Sequence, residues 1–288
     1  MMGLAGISRE LPVLIAGPTA SGKSGLAMDL AARDGRVIVN ADALQVYDCW
    51  RVLTARPSQA EETALPHALY GQVGRAADWS VGHWLRAVQG LLDRPVVIVG
   101  GTGLYFTALT EGLAVIPEVP AEVREAGDAL RFGDLGRMRA EVDAATLGRI
   151  DAQIPARVQR AWEVLRATGR GLADWQDGGA AAVLSLEKVE ALVLRPEVDW
   201  LNARIETRFD AMLAGGALDE VAAELPFWQA ERPSARAIGA AELVGYLRGD
   251  CGLAEARAAA ITATRQYAKR QRTWFRSRMK EWRGVVPE

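Results

Sequence analysis

Residues 11–24 read LPVLIAGPTASGKS, and this stretch decides the fold. Its first half, Leu11–Ala16, is a short apolar run before a glycine, which is typical of a buried parallel strand. Its second half, Gly17–Ser24, matches the pattern G-x-x-x-x-G-K-[ST], and Gly22–Arg33 carries apolar residues at helical spacing. A strand, a glycine-rich loop and a helix in this order predict a P-loop, whose backbone N–H groups surround phosphate oxygens.

Three further apolar segments continue the strand pattern, and helical segments separate them: Arg36–Asn40, Arg94–Val99 and Val189–Leu194. This alternation predicts an α/β fold, with a P-loop NTPase-like parallel sheet flanked by helices. The β pattern disappears over residues 117–179, which predicts a small all-helical insertion domain between the core segments 1–116 and 180–288. After Pro196 the chain is predicted to be helical to its end.

Composition narrows the class of protein. The chain has 288 residues, of which 50% are hydrophobic and 24% charged, so one large domain or two modest domains are expected. No apolar run approaches the roughly 18 residues that span a membrane, and residues 1–10 lack the pattern of a secretory signal. Because Cys49 and Cys251 form no metal-type spacing or disulfide framework, we expect a cytoplasmic protein without membrane partners.

A net charge of −2 conceals a basic segment near the end of the chain. Between Arg265 and Arg283, basic residues outnumber acids eight to one. On a helix, four of them form one stripe, which we call the basic stripe: Arg265, Lys269, Arg272 and Arg276. We interpret this stripe as a surface for nucleic-acid phosphates, and the alternative is a solvated face over a packed apolar back.

Two features beside the P-loop bear on the chemistry. An NTPase normally carries a Mg²⁺-binding acid at the end of a buried strand, but here the strand at Arg94–Val99 is followed by Gly100–Gly103. This absence favours a loop that holds a leaving diphosphate. The second strand is followed by Asp42, where a general base or a Mg²⁺ ligand would act, although an Asx turn is the alternative.

Several motifs together resemble the tRNA dimethylallyltransferase family, also called tRNA isopentenyltransferases, over nearly the whole chain. They are GPTASGKS at 17–24, DALQVY at 42–47, TARPS at 54–58, VGGTGLYFTAL at 99–109, RIETRF at 204–209, AIG at 237–239 and TRQYAKRQRTWFR at 264–276. The chain departs from the usual family pattern at Ala43, Arg56, Ala156 and Ala240.

The resemblance implies transfer of a dimethylallyl group from dimethylallyl diphosphate to N6 of the tRNA adenosine 3′ of the anticodon, position 37. It assigns catalytic roles to Lys23, Asp42, Thr102 and Arg208. It assigns the donor diphosphate to the P-loop residues Gly17, Pro18, Thr19, Ala20, Ser21, Gly22, Lys23 and Ser24. The Ser24 hydroxyl would also ligate Mg²⁺, the expected cofactor.

The partner implied by the resemblance is the anticodon stem-loop of tRNA, bound by a monomer. The residues predicted to contact tRNA, the basic stripe included, are Asp42, Ala43, Leu44, Gln45, Thr102, Arg124, Ala156, Arg157, Val158, Gln159, Arg160, Arg265, Lys269, Arg272 and Arg276. The target adenine must leave the loop stack to react, so a pocket for a flipped base is expected near Asp42. Leu104, Tyr105 and Phe106 are candidate walls for the isoprenoid tail, or else ordinary helix-core residues.

Three other functions remain open on the residues alone. An isopentenyltransferase acting on free AMP, ADP or ATP would share the P-loop and the aspartate, but has less need of the basic stripe. A small-molecule or nucleoside kinase would use the P-loop for ATP. A non-catalytic RNA-binding protein would use it only as a switch.

Overall fold

The computed structural model describes residues 6–179 and 181–287. The outermost residues of the predicted core, 1–5 and 288, and residue 180 at its internal boundary lie outside the described residues. The chain forms two compact units, one of residues up to Thr110 and from Leu184 onward, the other of Glu111–Val183. The predicted insertion, 117–179, falls inside the second unit.

The first unit is built on a six-stranded parallel sheet with the order β3-β2-β4-β1-β5-β6. The strands are β1 Val13–Ala16, β2 Val37–Asn40, β3 His67–Ala68, β4 Val96–Gly100, β5 Glu190–Leu194 and β6 Arg283–Val285. The predicted P-loop-type parallel α/β fold is thus confirmed. β1 lies between β4 and β5, which puts the loop that follows it at the middle of the carboxyl edge of the sheet.

Eight helices of the first unit are α1 Lys23–Asp34, α2 Gln59–Ala64, α3 Val81–Gln89, α4 Gly103–Thr110, α10 Val198–Ala214, α11 Ala217–Glu224, α12 Ala240–Arg248 and α13 Leu253–Arg278. The second unit contains α5 Ala121–Gly133, α6 Leu135–Ala140, α7 Ala144–Leu147, α8 Pro155–Thr168 and α9 Leu172–Asp177. Short 3-10 turns occur at Leu186–Lys188, Leu225–Phe227 and Pro233–Arg236.

The expectation that the chain is helical from Pro196 to its end is wrong, because β6 follows α13. This strand reads RGV, is largely exposed, and is defined by its pairing with β5, including the bond from Arg195 N–H to Val285 O of 2.8 Å. The two-residue strand β3 was also missed. Neither segment is long enough to show a strand period in sequence.

Apolar packing holds α1 against the sheet and α3 against α4. Val13 and Ile15 of β1 pack with Leu26 and Leu30 of α1, all at most 3% exposed. Trp84 of α3 stacks on Tyr105 of α4 with ring centroids 4.5 Å apart. Burial of such side chains contributes about 1.5–3 kcal/mol each, so the sheet and its helices form a firm base for the loops at its edge.

The second unit has its own core, formed by Met138, Val142, Val158, Ala161 and Trp162. The Trp162 indole N–H donates to Glu141 at 2.7 Å, which satisfies its polar atom at the border of that core. Within the described part of the chain, no helix has the length and apolar character needed to cross a membrane.

Candidate active site

The P-loop has a shape that leaves one buried hydroxyl group without a hydrogen-bond partner among the described residues. Gly22 caps α1 with a φ of 87°, a left-handed conformation that suits glycine. Ser21 is fully buried, and no described residue hydrogen-bonds its hydroxyl. A Cβ atom on Gly17 would lie 2.8 Å from that hydroxyl oxygen, so glycine keeps the cradle open. A buried hydroxyl without a partner is costly, and a phosphate oxygen would satisfy it.

Lys23 lies at the start of α1, and its Nζ donates to the Pro18 carbonyl at 3.3 Å. Burial, opposed by the Asp42 charge and aided by the Arg208 charge, lowers the pKa of Lys23 to about 8. The side chain is therefore mostly charged at neutral pH and loses its charge as the pH rises past about 8, and an arriving diphosphate would favour the charged form.

Two arginines of α10 hold the other side of the loop. Arg208 donates to the Thr19 hydroxyl at 3.2 Å, and Arg204 donates to the Ala20 carbonyl at 3.1 Å. Burial lowers the pKa of Arg208, and Asp42 opposes that shift. The Arg204 contact accompanies a left-handed φ of 63° at Ala20, which is uncommon for a residue with a Cβ atom. Arg208 was predicted for this position from the sequence, whereas a role for Arg204 was not.

Asp42 follows β2, and only one of its two carboxylate oxygens accepts a hydrogen bond from a described backbone N–H group. Oδ1 accepts from the Leu44 N–H at 2.9 Å, which is an Asx turn. The Asn40 side chain fixes the same turn, because it accepts from Asp42 N–H at 2.8 Å and donates to Asp42 O at 2.9 Å. No described residue hydrogen-bonds Oδ2, so the turn and a free proton acceptor coexist in one side chain.

Thr102, after β4, lies beside this turn. Its hydroxyl oxygen accepts from the Ala43 N–H at 3.0 Å, and its own N–H donates to Ala41 O at 3.1 Å. These two hydrogen bonds hold the loop after β2 and the loop after β4 together. The backbones also approach closely, because a Cβ atom on Gly100 would lie 2.0 Å from Ala41 O. Among the described residues no group accepts the hydroxyl proton of Thr102.

A pocket of about 590 Å³, including its open mouth, is lined by part of the P-loop and by Asp42. Its polar lining includes Thr19, Asp42 and Arg208, and its apolar lining comes from Leu44, Leu53, Ile205, Phe209, Met212 and Ile238. The candidate walls from α4 are not among the lining residues. Tyr105 and Phe106 are buried in the core, where Phe106 packs against Trp282, and Leu104 is 45% exposed.

Helix α13 carries the basic stripe on one side and approaches the P-loop with the other. Lys269 and Arg276 are exposed and Arg272 is half-buried, whereas Arg265 forms an ion pair with Glu206. On the other side Gln271 is only 5% exposed and bonds to Thr19 and Gly101 at 2.9 Å each. Nothing in the sequence indicates Gln271 beyond its place in a basic, aromatic segment.

The remaining predicted tRNA-contacting residues fall into two groups. In the first unit Leu44 lines the pocket, while the Gln45 amide donates to Thr54 O and Ala55 O and so fixes its own loop. In the second unit Ala156, Arg157 and Arg160 are exposed on α8, and Arg124 on α5 is partly buried. Val158 has no exposed surface, and the Gln159 amide donates to Asp128 and Glu163, so both side chains serve the core of that unit.

Glu220 of α11 is a further residue that the sequence did not reveal. Its carboxylate accepts from the N–H groups of Arg51, Val52 and Leu53 at 2.5, 2.9 and 2.8 Å. Three backbone donors on one carboxylate hold the loop that supplies Leu53 and Thr54 to the pocket.

The donor set for a metal ion is sparse. Among the described residues no three His, Cys, Asp or Glu side chains cluster closely enough to hold an ion. The Ser24 hydroxyl is exposed at the first turn of α1, next to the P-loop. This arrangement suits Mg²⁺, which commonly keeps several waters and is bound through substrate phosphates.

Comparison with known proteins gives consistent results. A family profile described as IPP transferase matches residues 45–278, and one described as isopentenyl transferase matches residues 12–67. A tRNA dimethylallyltransferase of Cereibacter sphaeroides is 63% identical over 286 residues, covering 98% of this chain and 91% of the relative. One from Dinoroseobacter shibae is 59% identical over 289 residues, covering 99% and 97%.

Solved structures show the same relationship. The tRNA isopentenylpyrophosphate transferase of Bacillus halodurans superposes with a TM-score of 0.67 at 27% identity, covering 96% of this chain and 90% of that one. A eukaryotic dimethylallyltransferase acting on tRNA gives a TM-score of 0.79 at 22% identity, covering 96% and 73%. This second likeness shows a shared fold.

Proposed function

This chain belongs to the IPP transferase family, and we propose that it transfers a dimethylallyl group from dimethylallyl diphosphate to N6 of adenosine 37 in tRNA, releasing diphosphate. One observation carries the proposal: a P-loop, a carboxylate oxygen with no hydrogen-bond partner among the described residues and an apolar pocket meet at one edge of the sheet. A diphosphate, a proton donor and a short hydrocarbon tail are the three chemical parts of this reaction.

In the proposed reaction the main task of the protein is to stabilise the departing diphosphate. An exocyclic adenine amine is a poor nucleophile because its lone pair is delocalised, so departure of diphosphate must be assisted. Negative charge builds on the bridging oxygen while the allylic carbon becomes positive. We assign the stabilisation of that negative charge to the P-loop N–H groups, Lys23 and Arg208, and one such donor is typically worth about 3–4 kcal/mol in the transition state.

Asp42 is the group we assign to the amine proton. Its Oδ2 has no described hydrogen-bond partner, while the Asx turn through Oδ1 fixes the direction of the carboxylate. General-base catalysis of this kind contributes roughly 10²–10⁴-fold. We assign to Thr102, whose hydroxyl accepts from the neighbouring Ala43 N–H, a hydrogen bond to the adenine or the leaving oxygen.

Mg²⁺ is the cofactor we propose, with Ser24 as its protein ligand and diphosphate oxygens and water as the others. When bound it would neutralise charge on the diphosphate. The absence of a carboxylate cluster among the described residues suits an ion that arrives with its substrate.

The tRNA would contact the exposed members of the basic stripe and the exposed face of α8. Lys269 and Arg276 on α13 and Arg157 and Arg160 on α8 present charge to solvent. We also infer action as a monomer in the cytoplasm, where free thiols such as Cys49 and Cys251 persist. Size-exclusion chromatography with light scattering tests the monomer.

The experiment that tests the function uses labelled dimethylallyl diphosphate, unmodified tRNA and Mg²⁺, followed by nucleoside analysis. We expect label on N6 of adenosine 37 and release of one diphosphate per transfer. AMP in place of tRNA is the second arm. Equal modification of AMP would replace the tRNA assignment with the free-nucleotide one, and Lys23-dependent ATP hydrolysis near 1 s⁻¹ would favour a kinase or ATPase.

A further inference from the structure

We propose that Gln271 is a positioning residue that holds the donor half and the acceptor half of the site in register. The donor half is the P-loop at Thr19, and the acceptor half is the turn at Gly101 and Thr102 that fixes the Asp42 loop. The names donor half and acceptor half rest on the proposed function. The contacts of Gln271 with the two loops are observed in the structure and do not depend on that function.

The first observation is that one side-chain amide bridges two backbone loops. The Gln271 Oε1 atom accepts from the Thr19 N–H at 2.9 Å, and its Nε2 atom donates to Gly101 O at 2.9 Å. The residue is 5% exposed, so little water competes for these bonds. Thr19 and Gly101 follow β1 and β4, which are neighbouring strands, and among the described residues no other side chain hydrogen-bonds both loops in this way.

The second observation is that both partners continue into groups with proposed chemical roles. The Thr19 hydroxyl accepts from Arg208 at 3.2 Å, which is the proposed diphosphate ligand. Next to Gly101, Thr102 accepts from Ala43 N–H at 3.0 Å, directly after Asp42. A shift of either loop would change the distance between the leaving group and the base.

The third observation is that the approach of α13 demands glycine on the loop it contacts. A Cβ atom on Gly101 would lie 2.2 Å from Gln271 Nε2, and one on Gly103 would lie 2.1 Å from the Trp274 indole nitrogen. Side chains of α13 therefore pack directly against the backbone of this loop, with no room for a Cβ atom between them. Only a side chain with one donor and one acceptor at its tip makes both bonds, which is the chemistry of glutamine.

Two substitutions test the role. Gln271→Leu removes both bonds at similar volume, and we expect its single-turnover rate at saturating substrates to fall by about 10²-fold, the typical cost of a 1 Å misplacement. Gln271→Glu keeps the acceptor for Thr19 but loses the donor when ionised. Protonation of the introduced carboxyl restores a donor for Gly101 O, so its rate relative to wild type should rise about tenfold from pH 8 to pH 5.5.

Gln266→Leu is the matched control, because this glutamine lies on the same helix and is exposed. We expect it to keep the wild-type rate within about twofold and to show no pH-dependent recovery. A merely structural role for Gln271 would lower the melting temperature of Gln271→Leu without a pH-dependent rescue of Gln271→Glu, and that result would overturn the proposal. Should Gln271→Leu not fold, the pH profile of Gln271→Glu decides alone.

Binding of inorganic diphosphate with Mg²⁺, measured by calorimetry, separates this inference from the proposed function. If wild type fails to modify tRNA but binds diphosphate, the function is wrong while the positioning role remains measurable. Diphosphate affinity should then fall in Gln271→Leu and recover at low pH in Gln271→Glu. If wild type modifies tRNA and both variants match it, the function stands and the positioning role is wrong.

Discussion

Asp42 accepts a 2.9 Å hydrogen bond from the Leu44 N–H through Oδ1, so one carboxylate oxygen forms the turn and the other can accept a proton. The oxygen that makes the turn sets the orientation, and the other oxygen stays without a described partner. A substitution that keeps the turn but removes the basicity is therefore possible at this position.

Asp42→Asn should cut the single-turnover rate by 10²-fold or more, because an amide does not accept the amine proton. Its carbonyl oxygen still accepts from Leu44 N–H, so the fold and the tRNA affinity should stay near wild type. Asp42→Ala is the comparison that loses the turn as well. A decrease in rate of less than about tenfold for Asp42→Asn would mean that the residue is only a turn former.

The lowered pKa of Lys23 predicts that diphosphate affinity depends on pH. Burial, aided by the Arg208 charge and opposed by Asp42, lowers its pKa to about 8 in the free protein. The ammonium charge is present below that pKa and is lost as the pH rises through it, so diphosphate affinity should decrease between pH 7 and pH 9. Calorimetry with inorganic diphosphate measures it. Lys23→Arg keeps its charge and controls for ionisation of the ligand; an equally steep decrease in that variant would contradict the assignment.

Neutralising Lys269, Arg272 and Arg276 with glutamine should raise the KM for tRNA while leaving diphosphate binding nearly unchanged. The log–log salt dependence of tRNA binding should become shallower by about 2–3 units if all three contact phosphates. Arg265 is left out because Glu206 already pairs with it. The matched control is Arg257→Gln, a cation of the same helix that pairs with Asp210 at 2.6 Å. Identical salt slopes for the triple variant and the wild type would remove α13 from the tRNA interface.

Glu220→Gln should loosen the wall of the pocket. An amide presents one acceptor where the carboxylate accepts from three N–H groups of residues 51–53. We expect a loss of about 1–3 kcal/mol in the free energy of unfolding and a higher KM for dimethylallyl diphosphate, since Leu53 lines the pocket. Asp219→Asn, at the exposed neighbouring position, is the control. An unchanged free energy of unfolding and an unchanged KM would show that the loop of residues 51–53 keeps its conformation without Glu220.

Local chemistry made much of the core predictable. The run Leu11–Ala16 contains β1, and the glycine pattern that follows starts α1 at Lys23, because apolar period and P-loop spacing are encoded over a few residues. The absence of a strand signal across 117–179 agrees with the helices α5–α9. Short strands such as β6 could not be predicted, since three residues with little burial form a strand only when they pair with the edge of β5.

The sequence by itself determined the parallel sheet, the P-loop and the positions of Asp42, Thr102 and Arg208 along the chain. Tertiary structure alone decided which side chains surround them: Leu53, Ile205 and Phe209 form the pocket instead of Tyr105 and Phe106. It also decided that Gln271 bridges Thr19 and Gly101. The physical reason is distance along the chain. Phosphate binding by a P-loop depends on neighbouring residues, whereas a pocket wall or a bridging amide depends on segments that meet only after the sheet and α10–α13 have packed.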